Sequence, residues 1–448
     1  MPDDGPARSR PEAEPAHADP AEAAPIRAQP HAAPTHVASA HAAPTKNDGR
    51  AHPGRTELGG AIGWTLLAAA VFVWTTDPER QVFDYFVRLA DAFLHGRLGV
   101  TEAPSWLNEL IPAGNGLWYV PYPPMPAIVL VPFVAILGTE IHQQLVSAIL
   151  GAASVGLAWL ALGRLDLPGR ARVWLTATFG FGTVLWFVAK VGSAWYFAHV
   201  VAVLFMLAAL ILVLDRRAPF LAGLLLGCAA IARLPVGLTA PFFLAAALGL
   251  GWPPRLPEPT RPALRTGLGF VVGLGIPLAG YALYNVARWG TPIDQGYVRI
   301  PGIFEDPIYA EHGILSIAYI PRNLYAIFFR SWNYVDDPPF LQPSWWGLSV
   351  FLTTPVYLWL AKARWSEPRV AWAAIGTALA LVPILTHGNV GITQFGYRFS
   401  LDVQPLLFVI LASAFRDGMA RLAQLACLGA LATCAYAIWA IGIGFVAF

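Results

Sequence analysis

Asp84, Arg88, Asp91 and His95 follow the first apolar run at spacings of i, i+4, i+7 and i+11. At about 100° per residue, a helix places all four on one narrow face. The residues between them (Phe83, Phe86, Val87, Leu89, Ala90, Phe93, Leu94) are apolar. Such a helix is expected to lie along a membrane surface rather than cross it. Carboxylates beside a cation at that surface suit acid/base chemistry on a lipid-borne substrate. Asp84 or Asp91 would draw a proton from a hydroxyl, and Arg88 between them would keep at least one ionised. Arg88 and His95 are also candidate substrate contacts. The structural alternative is a solvated amphipathic face on which Arg88 bridges both carboxylates.

The elements that must hold this stripe are set by composition. Of 448 residues, 56% are hydrophobic and only 12% charged, and the mean hydropathy is +0.54. Soluble domains carry about 25% charged residues, so the chain reads as an all-α polytopic membrane protein. A net charge of +2 gives no case for nucleic acid. Cys427 and Cys434, seven residues apart on one expected helix, lie about 10 Å apart, too far for a disulfide. Residues 1–57, rich in Ala, Pro, His and charge, lack an apolar run and are expected to be a disordered tail. No signal peptide is expected ahead of the first span.

Apolar runs near 58–76, 141–163, 172–189, 195–214, 219–233, 235–251, 266–288, 346–361, 370–386, 402–415 and 421–446 suggest about eleven transmembrane helices. A further run, 124–138, is ambiguous. Treating it as interfacial puts the basic loops around Arg164/Arg170/Arg172, Arg216/Arg217, Arg255/Arg261/Arg265 and Lys362/Arg364/Arg369 on the cytoplasmic side, with the amino end in and the carboxyl end out. Segments 77–140, 289–345 and 387–401 then share the outer face, and long connections are usually functional. No GxxxxGK[ST] phosphate-binding loop occurs. Chemistry is therefore expected outside.

Isolated cations near apolar runs are costly and point to function. Arg233, between GLLLGCAAIA and LPVGLTAPFF, is placed to hold a phosphate bidentately or to snorkel to the interface. Lys190 and His199 flank the start of another span. Tyr122 sits in the Pro-rich stretch YVPYPPMP, which either shapes a cavity wall or starts a helix. Arg322 and Asn323 begin a short amphipathic helix. In the last outer loop, Gln394, Tyr397 and Arg398 precede Asp402, with which Arg398 would form either a local ion pair or, left free, a phosphate contact. No His/Asp cluster has metal-ligand spacing, so no metal or other cofactor is expected.

The words LADAFLHGRL, YVPYPPMPA, YNVARWGTPIDQGY, PRNLY and QFGYRFSLD, with the amino-in first span and the acidic outer helix, resemble the GT-C superfamily of membrane glycosyltransferases. The likeness spans most of 58–448 and is greatest to bacterial members related to protein O-mannosyltransferases and the lipid A aminoarabinose transferase. It implies a GT-C-like fold in a bacterial cytoplasmic (inner) membrane. It also implies inverting transfer of a sugar from a polyprenyl-phosphate donor to a glycan, lipid or protein acceptor outside. The acid after the first span acts as base in such enzymes, which matches Asp84 first and Asp91 second, although Tyr85 stands where the family has Glu. Outer cations hold the lipid phosphate, a role open to Arg233, Arg322 or Arg398. Rival readings are a transporter or flippase of an anionic or lipid-linked substrate, and a non-catalytic envelope scaffold.

Overall fold

The computed structural model describes residues 54–77, 83–254 and 260–442. The expected tail at 1–57 lies almost wholly outside the described residues. In chain order, α1 (Arg55–Thr75) leads to α2 (Tyr85–Leu94), the antiparallel ladder β1 (Ile111–Pro112) with β2 (Trp118–Tyr119), and α3 (Met125–Leu137). Next come α4 (Gln143–Leu162), α5 (Gly169–Phe181), α6 (Leu185–Val191), α7 (Ala194–Leu214), α8 (Pro219–Ala230), α9 (Ala240–Leu248) and α10 (Arg261–Trp289). The second long connection carries α11 (Ile320–Phe328) and the ladder β3 (Asn333–Tyr334) with β4 (Leu341–Gln342). The chain continues through α12 (Val350–Thr353), α13 (Pro368–Thr386), α14 (Gln404–Ser413) and α15 (Arg421–Gly442).

Among the described residues, seven stretches are long and apolar enough to cross a membrane: α1, α4, α5 with α6, α7, α10, α13 and α15. Shorter apolar helices are α3, α8, α9 with the turn before it, and α14. Two-thirds of the most apolar window of α7 is buried (67%), against 17% for α1 and 22% for α10, so α7 runs through the centre and the other two at the periphery. Close packing comes from small residues. A Cβ on Gly223 of α8 would stand 2.1 Å from the Phe270 carbonyl oxygen, and one on Gly273 of α10 2.0 Å from that of Phe220. The two backbones therefore meet directly, as small-residue helix pairs do in membranes.

One expected span is broken. The run 346–361 forms only the four residues of α12 and then a 3₁₀ segment, Pro355–Lys362. Pro355 offers no N–H, and it holds Thr354 out of the helical region at φ −135°, ψ 73°.

The helix expected from the acidic stripe is present as α2. Asp84 stands at its N-cap position, and it ends at Gly96, where φ is +66°. The Arg97 N–H closes the end on the Ala92 carbonyl at 2.8 Å, a Schellman arrangement that needs the left-handed glycine. Ten residues give about 15 Å, too short to span, and the apolar face (Tyr85, Phe86, Val87, Leu89, Ala90, Ala92) is buried.

Candidate functional site

Several helix ends and loops surround a cavity of about 280 Å³. The first turn of α7 supplies Trp195 and Ala198, and the turn after α8 supplies Arg233 and Leu234. The end of α13 gives Ile384 and His387, and the loop beyond it Arg398 and Phe399. The Pro121–Tyr122–Pro123 turn and Tyr297 close the wall. The turn residues earn their places by chemistry. Pro121 and Pro123 keep the bent path before α3 out of regular helix, and Pro126 stands in that helix's first turn. Pro235 follows Arg233 directly, and Arg233 itself is extended at φ −142°, so α8 cannot continue through it.

Arg233 is oriented from behind. Its Nε and NH2 groups donate to both oxygens of the fully buried Asp402 carboxylate, at 2.9 to 3.3 Å. The other side of Asp402 meets His199 Nδ1 at 2.7 Å, and His199 Nε2 is buried without a partner. Arg398 is buried, donates to the Ile392 carbonyl at 2.7 Å, and lies 5.1 Å from the centroids of both Tyr196 and Phe399. Arg233 lies 5.3 Å from the same Phe399 ring. Two guanidinium groups thus share one aromatic platform on the cavity wall. Burial, followed by the fields of Arg233, Arg398 and Arg322, pushes the His387 imidazole down to about 4, against a raising bond to Asn389. It is neutral at ordinary pH, and the site favours an anion.

A carboxyl group not singled out in the sequence lies just behind this wall. Glu109 accepts from Trp195 Nε1 at 3.2 Å, and the same N–H donates to the Tyr122 hydroxyl. Both rings line the cavity. The Glu109 backbone N–H donates to the Tyr85 hydroxyl at 3.0 Å, which ties it to α2. Burial raises its pKa to about 7, opposed by the Trp195 bond and by Arg398. Its environment therefore moves it toward the range in which a carboxyl group can both release and take up a proton.

The expected site residues separate into groups. Arg233, Arg398 and Tyr122 line the cavity, and His199 stands one residue behind it through Asp402. The local ion pair between Arg398 and Asp402 does not form, because Asp402 is taken by Arg233 across the bundle. Residues 398–402 are a 3₁₀ turn, in which i and i+3 align and i+4 is rotated away. Asn323 donates from Nδ2 to the Leu385 and His387 carbonyls, each at 2.9 Å, and so fixes the His387 loop. Gln394 binds the Trp346, Val390 and Gly391 carbonyls and accepts the Arg398 N–H, fixing the same loop from within. Arg322 donates to the Gly388 carbonyl and faces a neighbouring cavity of about 140 Å³. Tyr397 is buried outside the main cavity, in a small hollow beside Thr353 and Tyr357. Lys190, in the last turn of α6, is not on its wall.

The stripe on α2 is also off the wall. Asp84 accepts from Arg88 Nε at 3.0 Å, and its second oxygen is buried without a hydrogen bond. Arg88 bridges Asp84 to Glu102 (3.3 Å) and not to Asp91. Asp91 instead faces Arg97 and the exposed His95, each at 3.4 Å. Asp84 remains close to the site in sequence: its neighbour Phe83 packs on Trp195 with ring centroids 4.6 Å apart.

No protein-family profile and no curated protein matches the chain. Two crystal structures of ArnT from Cupriavidus metallidurans do. The apo state shows 16% identity and a TM-score of 0.48, covering 82% of this chain. The form bound to undecaprenyl phosphate shows 15% identity and a TM-score of 0.50, covering 81%. The matched region is 61% of the length of each ArnT chain. The chain accordingly has the GT-C-like membrane fold expected from its sequence, shared with the undecaprenyl phosphate-bound form of ArnT.

Proposed function

We propose that the protein transfers a sugar from a polyprenyl-phosphate donor to a hydroxyl acceptor on the outer face of a bacterial cytoplasmic membrane. The observation that carries this reading is the pairing of Arg233 and Arg398 over Phe399 in an aromatic-walled cavity at one end of the bundle. Guanidinium groups suit a phosphodiester, and Tyr122, Trp195 and Tyr297 offer ring faces to a sugar. Leu234 and Leu315, both exposed, give the rim an apolar side for a prenyl tail. ArnT, whose fold the chain shares, was crystallised with undecaprenyl phosphate, which supports the same class of carrier here.

In the reaction, the acceptor oxygen bonds to the anomeric carbon from the face opposite the phosphate, and the carbon–phosphate oxygen bond breaks with inversion. The acceptor proton passes to a carboxylate of the first outer segment. The electron pair leaves on polyprenyl phosphate, whose growing charge Arg233 and Arg398 meet. Asp84 is the base that the family resemblance implies. Glu109 is the rival favoured by its bond to Trp195 on the wall. No metal enters this scheme.

The test is transfer from a labelled polyprenyl-phosphate sugar by membranes carrying the protein. Arg398→Gln should weaken donor binding about 10- to 100-fold, as expected for a lost charged hydrogen bond. Asp84→Asn and Glu109→Gln, compared side by side, identify the base by which one abolishes turnover. Full activity in the arginine variant would refute the phosphate site. Rapid passage of a lipid-linked substrate without sugar transfer would instead favour the flippase reading.

A further inference from the structure

A second hollow, about 400 Å³, lies at the opposite end of the bundle. α7 and α13 each reach both: their residues 194–198 and 383–384 line the first cavity, and residues 213–214 and 368–372 the second. Helices of 19 and 21 residues put about 30 Å between the two. This is the end where the short basic loops gather.

The floor of the hollow is apolar, formed by Val213, Phe242 and Ala245. Its rim is not. Arg216, Arg369 and Arg416 stand there with two carboxylates, Asp166 and Glu367. Glu367 is occupied, 2.9 Å from Arg416 and 3.6 Å from Arg364. Asp166 is 74% exposed and 3.9 Å from both Arg369 and Arg416, a distance too long for firm hydrogen bonds. Arg416 Nε is buried without a partner. Arg216 has no carboxylate within 4.0 Å among the described residues, and its guanidinium occupies the space left by Gly249. Cationic donors therefore outnumber the acceptors that hold them, above a floor suited to hydrocarbon.

We propose that this hollow binds the phosphate headgroup of an anionic phospholipid from the leaflet opposite the Arg233 site. Arginines at the membrane boundary attract anionic lipid, and bidentate geometry suits a phosphodiester. The apolar floor has no use for a free inorganic ion but accepts the first carbons of an acyl chain. The inference concerns a different end of the molecule and does not depend on the sugar-transfer reading.

The experiment uses the full chain, purified in detergent, with thermal unfolding and native mass spectrometry as readouts. Phosphatidylglycerol should bind saturably and raise the unfolding temperature, while phosphatidylcholine and inorganic phosphate do neither. Arg216→Gln, at an exposed position without an ion-pair partner, should keep the fold and weaken phosphatidylglycerol about fivefold. Ala246→Trp, which fills the hollow, should abolish the effect. Equal protection by phosphatidylcholine, or unchanged affinity in the Arg216 variant, overturns the site. Equal protection by inorganic phosphate overturns its assignment to a lipid.

Discussion

Replacing Glu109 by Gln keeps the size of the side chain and the oxygen that accepts from Trp195 Nε1, but removes the titration. In the fold this carboxyl holds its proton to about pH 7, because burial outweighs the Trp195 bond and the pull of Arg398. In the unfolded chain it releases the proton near 4.5. Between those values the folded state binds the extra proton, so its advantage is complete below 4.5, falls as pH rises, and levels off above 7. The gap corresponds to about 3 kcal/mol. The glutamine variant has no such loss. Thermal unfolding of the two proteins in the same detergent, from about pH 5 to about pH 8, should therefore show curves that diverge, with the variant gaining relative to wild type toward neutral pH. If Glu109 is the base, transfer by wild type should also rise through pH 7 as the carboxylate forms, and the variant should lack that limb. Parallel stability curves would refute the half-buried, proton-holding Glu109 described above.

Further outcomes follow from the same geometry. Asp402→Asn leaves the Arg233 charge without its buried counter-ion and should destabilise the protein by about 3–5 kcal/mol, measured as loss of monodisperse material and a lower unfolding temperature. Arg233→Gln should lower affinity for polyprenyl phosphate and, because it leaves the fully buried Asp402 carboxylate without its cation, also lower the unfolding temperature; unchanged affinity in the folded variant would exclude Arg233 from the site. Gly296→Ala would put a Cβ 2.0 Å from the Pro121 carbonyl oxygen, and should cost about 1–3 kcal/mol, seen as reduced thermal stability.

Arg233 stood out in the sequence because an isolated guanidinium beside apolar runs is expensive and needs a reason, and Arg398 because it stands at a span entrance; both line the cavity. The stripe on α2 was legible as a helix, since its period is that of a helix, but the period does not say where the polar face points. In the structure it meets Arg88, Arg97 and Glu102 rather than the cavity. Glu109 had no local signal. It stands in an irregular segment without periodicity, and what distinguishes it is burial against Trp195 and Tyr85, residues far away in the chain. Asp402 shows the opposite failure: a local rule was available and a distant partner won, because the 3₁₀ backbone turned the carboxylate away from Arg398. The break at Pro355 was marked by the proline itself, but a hydropathy window averages over a single residue.

The close seating of Gly296 on Pro121 has a bearing on how anything reaches the cavity. Arg288, at the end of α10, donates to the Val120 carbonyl at 2.8 Å, so α10 and the segment after it hold the adjacent residues Val120 and Pro121 at two points. A wall held this way is expected to stay shut, and the prediction is entry from the side, past the exposed Leu234 and Leu315. A tether joining positions 121 and 296 should then leave turnover untouched, whereas bulky groups at 234 or 315 should act as a doorstop.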